Sequence, residues 1–242
     1  PFIPFYISFR TPTMRYLFIL SLLLLEVTLG LKAQTETQES NTLSQQDSME
    51  VIVKKIWSES TFKEMISIDI FIKAMKGYYE YDSFKKGIIS IIDYTKPSTE
   101  KRFYVIDLEN KTLLFNTLIA HGKNTGNNFA VEFSNKQNSL KSSIGFFKTG
   151  KTYFGKHGFS LRLDGLEKGF NDNARKRAVV IHGAKYVSSS FVKTYGRLGR
   201  SWGCPALPLA KSKQIIKTIA NGTCLFVFGN DQEYLRSSSL LN

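Results

Sequence analysis

The sequence predicts a mainly β fold of the α+β class, with a small helical part before it and a helix near its end. Two observations carry this. Aromatic residues are abundant, with 19 Phe and 11 Tyr in 242 residues, and such side chains fit pleated surfaces. The hydrophobic period also changes along the chain, from helical spacing before residue 87 to short strand-like runs after it.

The apolar block YLFILSLLLLEVTLGL at 16–31 follows Met14-Arg15 and precedes Lys32-Ala33. A short basic start, an apolar stretch and a small residue read as a signal peptide over 14–33, cut after Ala33 or Gly30. Glu26 within the block disfavours a membrane span, and a signal anchor is the alternative. Residues 1–13 are expected to be untranslated upstream sequence. No cysteine follows the block, which excludes lipid attachment there. The Ser/Thr/Gln-rich stretch 34–50 reads as a flexible linker. Export to the periplasm follows as the expected localisation.

Residues 51–87 form the expected helical part. Val51, Ile52, Ile56 and Trp57 recur at helical spacing. A second helix starts near Ser67, with Ile70, Phe71, Ala74, Met75 and Tyr78 on one face. The body spans 88–232. IISIIDY at 88–94 is a strand ended by Pro97, and 101–121 reads as a hairpin turning at Glu109-Asn110. From 122 to 175 the chain is dense in Gly, Asn, Ser and Lys, with FAVEF and TYFG as short strands. RAVVIHGA at 177–184 is an apolar strand ending in His-Gly. Pro208 opens a helix over 209–220 that buries Ile215, Ile216 and Ile219 and stops at Asn221-Gly222. TCLFVFG closes as a strand, and 233–242 is expected to be a loose tail.

The net charge of +13 points to anionic partners. The basic residues are scattered and the chain carries an export signal, which argues against nucleic acid. A carboxylate-rich wall polymer suits the charge, and solubility alone is the plain alternative. Membrane contact is expected only through an uncleaved signal segment, and the chain is expected to be a monomer.

Two places carry chemistry: Ile181-His182-Gly183 at a strand end, and Arg200-Ser201-Trp202-Gly203-Cys204-Pro205 in a tight loop. A cysteine nucleophile needs a base, and a strand-borne His beside a Gly-flanked Cys can supply it. The backbone N–H groups of Gly203 and Cys204 are the natural oxyanion donors. With no acid nearby in sequence, the carbonyl of Gly183 is the candidate that fixes the tautomer of His182. Ser201 is expected to hydrogen-bond within the site. A nucleophilic Cys204 is expected to label fast near neutral pH. A disulfide between Cys204 and Cys224 is the opposing reading, and a buried inert thiol suits Cys224 in its apolar strand. His then Cys in the chain is the wrong order for papain-like enzymes. No C-x-x-C is present, and His121 and His157 lie in separate loops, so no zinc site is expected.

The region 65–230 resembles the L,D-transpeptidase catalytic domain family (YkuD-like), whose signature is His-Gly or His-Ser at a strand end, a loop, and then Ser-x-Gly-Cys. Here it stands as His182-Gly183 and Ser201-Trp202-Gly203-Cys204. HGK at 121–123, FSN at 133–135, GFFKTGKTYFGKHGFSLRL at 145–163, GLEKGFNDNA at 165–174 and GRSWGCPAL at 199–207 resemble the murein L,D-transpeptidase branch of Bacteroidetes-type bacteria. The resemblance implies a β-sandwich or partly closed barrel with the C-terminal helix against it. It implies attack by Cys204 on a peptidoglycan stem tetrapeptide, with His182 as base, release of D-alanine and a 3→3 cross-link, with no metal and no cofactor. Water as acceptor would make an L,D-carboxypeptidase instead, and loss of the pair's function would leave a peptidoglycan-binding module. Many members carry His at the position of Trp202 and Arg or Asn at that of Ala206. Substrate holding then falls to Arg200 and Arg197, with Gly183, Tyr186, Trp202 and His121 as further groove residues. Asn135 and Ser143 are candidates to shape the pocket.

Overall fold

The computed structural model describes Lys32 and residues 48–242. The expected signal peptide and most of the expected linker lie outside the described residues. Among those described, no helix is long and apolar enough to cross a membrane. The chain divides at Ile52/Val53 into two units. In the first, residues 48–52 are helical. The second holds the sheet and the remaining helices.

Helix α1 spans Ile68–Glu80 and buries Ile70, Phe71, Ala74, Met75, Gly77 and Tyr78, as the helical spacing predicts. Gly77 is needed where α1 meets the sheet, because a Cβ there would come within 2.2 Å of the Phe146 ring. Residues 81–87, counted with the helical part in the sequence reading, are not helical.

Eight strands form one sheet: β1 Ile88–Asp93, β2 Phe103–Asp107, β3 Thr112–Thr117, β4 Gly145–Gly155, β5 Gly158–Gly165, β6 Val180–Ala184, β7 Ala206–Pro208 and β8 Cys224–Phe228. Their order is β3-β2-β1-β8-β4-β5-β6-β7. The β1–β8 and β6–β7 pairs are parallel and the others antiparallel. Just past β3, Ala120 and Ala206 of β7 exchange backbone hydrogen bonds at 2.9 and 3.2 Å. This bridge joins the two ends of the sheet into a nearly closed barrel, a form that leaves few exposed edges.

Ile92, Phe103, Val105, Phe147, Leu161, Leu163, Ile181, Leu225 and Val227 fill the core. Helix α3, Leu209–Ile219, is preceded by α2, Ser189–Tyr195, and covers this core with Ile215, Ile216 and Ile219. The strand-period residues of 88–94 and 101–121 land as expected, and the hairpin turns through Asn110, whose N–H donates to Asp107 Oδ1 at 2.9 Å.

Two expectations are corrected and a third is extended. FAVEF forms no strand. Its backbone folds inward as a loop, with the N–H groups of Val131 and Glu132 both donating to the Thr125 carbonyl. TYFG is the end of the eleven-residue β4, and LRLDG belongs to β5. Their alternation is broken by a register shift between Thr149 and Thr152. The tail is not loose: α4, Gln232–Ser237, buries Tyr234, and Ser238 is buried after it.

The anchor of that tail is Glu167. Its Oε2 accepts from Phe146 N–H at 2.7 Å and Tyr234 O–H at 3.0 Å, and its Oε1 accepts from Ser238 Oγ. Burial pushes the Glu167 carboxyl above its ordinary range, against these donors. Replacing Glu167 by Ala leaves three buried donors without an acceptor. The variant is expected to lose about 3 kcal/mol in urea unfolding with an unchanged m-value. A loss under about 1 kcal/mol would mean the clasp is solvated.

Candidate active site

Strand β6 delivers His182 and the loop before β7 delivers Cys204. Both line one cavity of about 280 Å³ with Lys156, His157, Tyr186, Arg200, Ser201 and Trp202. The local pairing fixes this meeting. His182 sits opposite Ala206 in the β6–β7 pair, two residues beyond Cys204, and its N–H donates to Pro205 O at 3.4 Å.

His182 is 3% exposed, and its Nδ1 lies 3.0 Å from the carbonyl oxygen of Gly183. A carbonyl only accepts, so Nδ1 carries the proton and Nε2 is left as the basic nitrogen. The Gly183 carbonyl thus fixes the tautomer, as the sequence suggests. Burial lowers the His182 pKa below 6.5, and the nearby His157 lowers it further against the Gly183 bond.

The Cys204 thiol is free and partly exposed, and Sγ–H reaches the Ala178 carbonyl at 3.8 Å. Burial pushes its pKa up, opposed by a backbone contact from Val180 and by the Arg177 charge. The resting pair is therefore a neutral thiol and a neutral imidazole. Cys224 is fully buried in β8 and also free, so no disulfide joins the two.

Ser201 organises the cysteine loop. Its Oγ donates to Cys204 O at 2.6 Å and accepts from Gly203 N–H at 3.0 Å. That second bond corrects the expected oxyanion pair: Gly203 N–H is already used, and Cys204 N–H is the one left without an acceptor among the described residues. Gly203 has φ +121°, and a Cβ would come within 2.8 Å of Lys141 O. The glycine is required by backbone conformation and by close approach.

The expected groove residues divide. Tyr186, Arg200 and Trp202 line the cavity, with Trp202 77% exposed. Burial pushes Tyr186 up to about 12. Arg200 Nη1 donates to the carbonyls of Lys123 and Gly126 at 3.2 and 2.9 Å. Arg197 does not line the cavity, and its guanidinium donates to Leu198 O. Gly183 faces helix α3 instead, where a Cβ would meet Ser212 Oγ at 2.4 Å. His121 is buried away from the cavity. Its Nδ1 accepts from Arg102 Nη2 at 2.8 Å and its Nε2 reaches Gly126 O at 3.3 Å. Burial and Arg102 lower its pKa to about 4. Its backbone carbonyl still serves the site by accepting from Ser201 N–H at 3.0 Å.

Two groups escaped sequence reasoning. His157, at the β4–β5 turn, stacks on His182 with ring centroids 4.4 Å apart. Ser160 of β5 pairs with His182, so the turn just before it comes alongside. Sequence carries no signal for this, since β5 itself was not legible. Arg177 is the other. Asn135 and Ser143 act through this same region: Asn135 binds Asp172 and Asn173, and Ser143 binds Arg177. Among the described residues, no three His, Cys, Asp or Glu side chains cluster as a metal site would require.

The sequence profile described as the L,D-transpeptidase catalytic domain matches residues 62–228. The chain belongs to this family. Among solved structures, the L,D-transpeptidase from Mycobacterium smegmatis is 13% identical, with 59% of each chain covered and a TM-score of 0.37. The helical cell shape determining protein from Campylobacter jejuni is 15% identical over 66% of this chain and 56% of that one, at 0.39. An L,D-transpeptidase from Stackebrandtia nassauensis is 15% identical over 67% and 68%, at 0.35. The chain thus spans 59% of the mycobacterial structure's length. No curated protein matches the chain.

In this L,D-transpeptidase-family site, Gly203→Ala is expected to keep the fold by circular dichroism while losing Cys204 reactivity at least about tenfold, because the strain falls on the cysteine loop. Unchanged reactivity would show that the loop tolerates a side chain. A second expectation concerns pH. His182 must be neutral to take a proton, and its folded pKa lies below 6.5. Activity is then retained as pH falls through 6.5 and is lost only below it. A kcat/KM acidic limb at or above 6.5 would remove His182 as the titrating base.

Proposed function

We propose that this chain is an exported cell-wall enzyme, a murein L,D-transpeptidase that works on peptidoglycan stem tetrapeptides through a Cys204 thioester. The observation that carries the reading is the single cavity holding Cys204 beside a His182 whose Nδ1 is locked by Gly183 O. Family membership and the charge of +13, suited to a carboxylate-rich polymer, support it.

His182 Nε2 takes the thiol proton as Cys204 Sγ attacks the carbonyl of the third stem residue. The oxyanion forms beside the Cys204 N–H, which the loop leaves available. Collapse breaks the bond to the terminal D-alanine, whose amine leaves with the proton from His182. The thioester remains. An amine of a neighbouring stem attacks it, giving its proton to His182. The new amide is the 3→3 cross-link, and the sulfur leaves as thiolate and recovers the proton.

Tyr186, Arg200 and Trp202 border the substrate in this scheme. Tyr186 stays protonated as a donor, and Trp202 supplies an exposed apolar face.

The test is mass spectrometry of the chain incubated with a disaccharide-tetrapeptide, for wild type and Cys204→Ala. Loss of D-alanine with a 3→3 dimer, absent in the variant, is the expected outcome. D-alanine loss without dimer would mean hydrolysis on the same site. Product from Cys204→Ala would overturn the cysteine mechanism.

A further inference from the structure

Arg177 lies in the turn just before β6, between Asn173 and the left-handed Ala178 whose carbonyl meets the Cys204 sulfur. Its guanidinium is half-buried and held on all sides by neutral oxygens. Nη1 donates to Ser134 O at 2.6 Å and to Ser143 Oγ, and Nη2 donates to Ser139 Oγ at 3.2 Å and Lys141 O at 2.7 Å. The same Lys141 O is the atom a Gly203 side chain would strike, and Nη2 stands 3.5 Å from that point. The guanidinium is thus packed against the backbone immediately before Cys204. Among the described residues it forms no ion pair with a carboxylate; the ion pairs near it, Lys141–Glu132 and Arg175–Asp164, are made by its neighbours.

We infer that Arg177 is a positioning residue that supplies the fixed counter-charge for the Cys204 thiolate formed during turnover. The inference rests on Cys204 being the nucleophile. Two features of the geometry argue for it. Both terminal nitrogens are already bound to protein oxygens, so Arg177 is not placed to grip a substrate carboxylate. A half-buried cation held only by neutral oxygens favours a negative charge forming beside it; its Nη2 packs against the loop that carries Cys204, and the two groups are electrostatically coupled. The same contact opposes the burial that pushes the thiol up. The other titratable and charged groups around the sulfur's cavity are His182 on β6, Lys156 and His157 on the β4–β5 turn, and Arg200 and Tyr186; the buried Tyr94, just past β1, couples to Cys204 electrostatically. Arg200 is spent on the carbonyls of Lys123 and Gly126.

The experiment follows iodoacetamide labelling of Cys204 by peptide mass across pH 5.5–10 in the full chain. Wild type is compared with Arg177→Gln, Arg177→Lys and the pair Ser139→Ala plus Ser143→Ala. Removing the charge in Arg177→Gln is expected to raise the labelling midpoint by about one pH unit, so labelling at pH 7 falls roughly tenfold. Arg177→Lys keeps the charge and the serine pair loosens only the hydrogen bonds, so both are expected to hold the midpoint within about 0.3 pH units. A midpoint unmoved in folded Arg177→Gln overturns the inference. So does a shift of about one unit in Arg177→Lys or in the serine pair, which would make loop geometry the cause. These two variants keep the test decisive if Arg177→Gln does not fold. Turnover by Cys204→Ala would instead sink the nucleophile reading and leave the labelling midpoints as they stand.

Discussion

The pairing of Ala120 with Ala206 ties the rest of the structure together. It joins the strands that begin the sheet to the short strand that ends it, and it continues into the cysteine loop. Ser201 N–H donates to His121 O, and Lys123 N–H donates to Ser201 O at 2.7 Å. A three-residue strand such as β7 has little pairing of its own. Held between β6 and the 120–123 segment, it brings Cys204 and His182 to one cavity. Small residues are needed at the seam: Ala120 and Ala206 are both fully buried. This also explains the departure at Ala206, where many members of the family carry Arg or Asn. In this chain the position is part of the closure.

Buried polar clasps stabilise the ends of this arrangement. Arg102 is fully buried, with Nε and Nη2 donating to Ile119 O at 3.1 and 2.9 Å and Nη1 donating to Lys96 O at 2.8 Å. It also lies 4.8 Å from the Tyr94 ring centre. Burial lowers its pKa to about 10, so it stays charged at neutral pH. It fixes the backbone next to the seam and the ring of His121 together. Glu167 does the equivalent work at the other side of the sheet, where it binds the chain end to β4. Such groups are costly to bury and more costly to leave half-satisfied, so they specify one geometry.

The site's electrostatics follow from the same economy of charge. Burial at the site disfavours both the imidazolium and the thiolate at rest. In the proposed mechanism, proton transfer creates the ion pair only as sulfur attacks, beside the Cys204 N–H and near the charge we assign to Arg177. Preorganised dipoles and charges of this kind act without further reorganisation during the reaction. The stacked His157 works in the same direction, since two adjacent rings disfavour a second positive charge.

By itself, the sequence determined the α1 and α3 helices, the β1–β3, β6 and β8 strands, and the Cys204/His182 constellation with its Gly183 carbonyl. Each of these depends on local order: apolar spacing, turn residues, or a short motif whose members are adjacent in the chain. The tertiary structure alone decided what lies between. β4 and β5 are Gly-containing strands with a register shift between them, whose faces are set by β8 and β6 rather than by alternation. Tyr234 of the polar tail is buried because a carboxylate sixty-seven residues earlier accepts its hydroxyl. His121 and His157 look alike in sequence. One was sequestered by Arg102 and the other brought onto His182, because strand pairing rather than residue type assigns a side chain its neighbours.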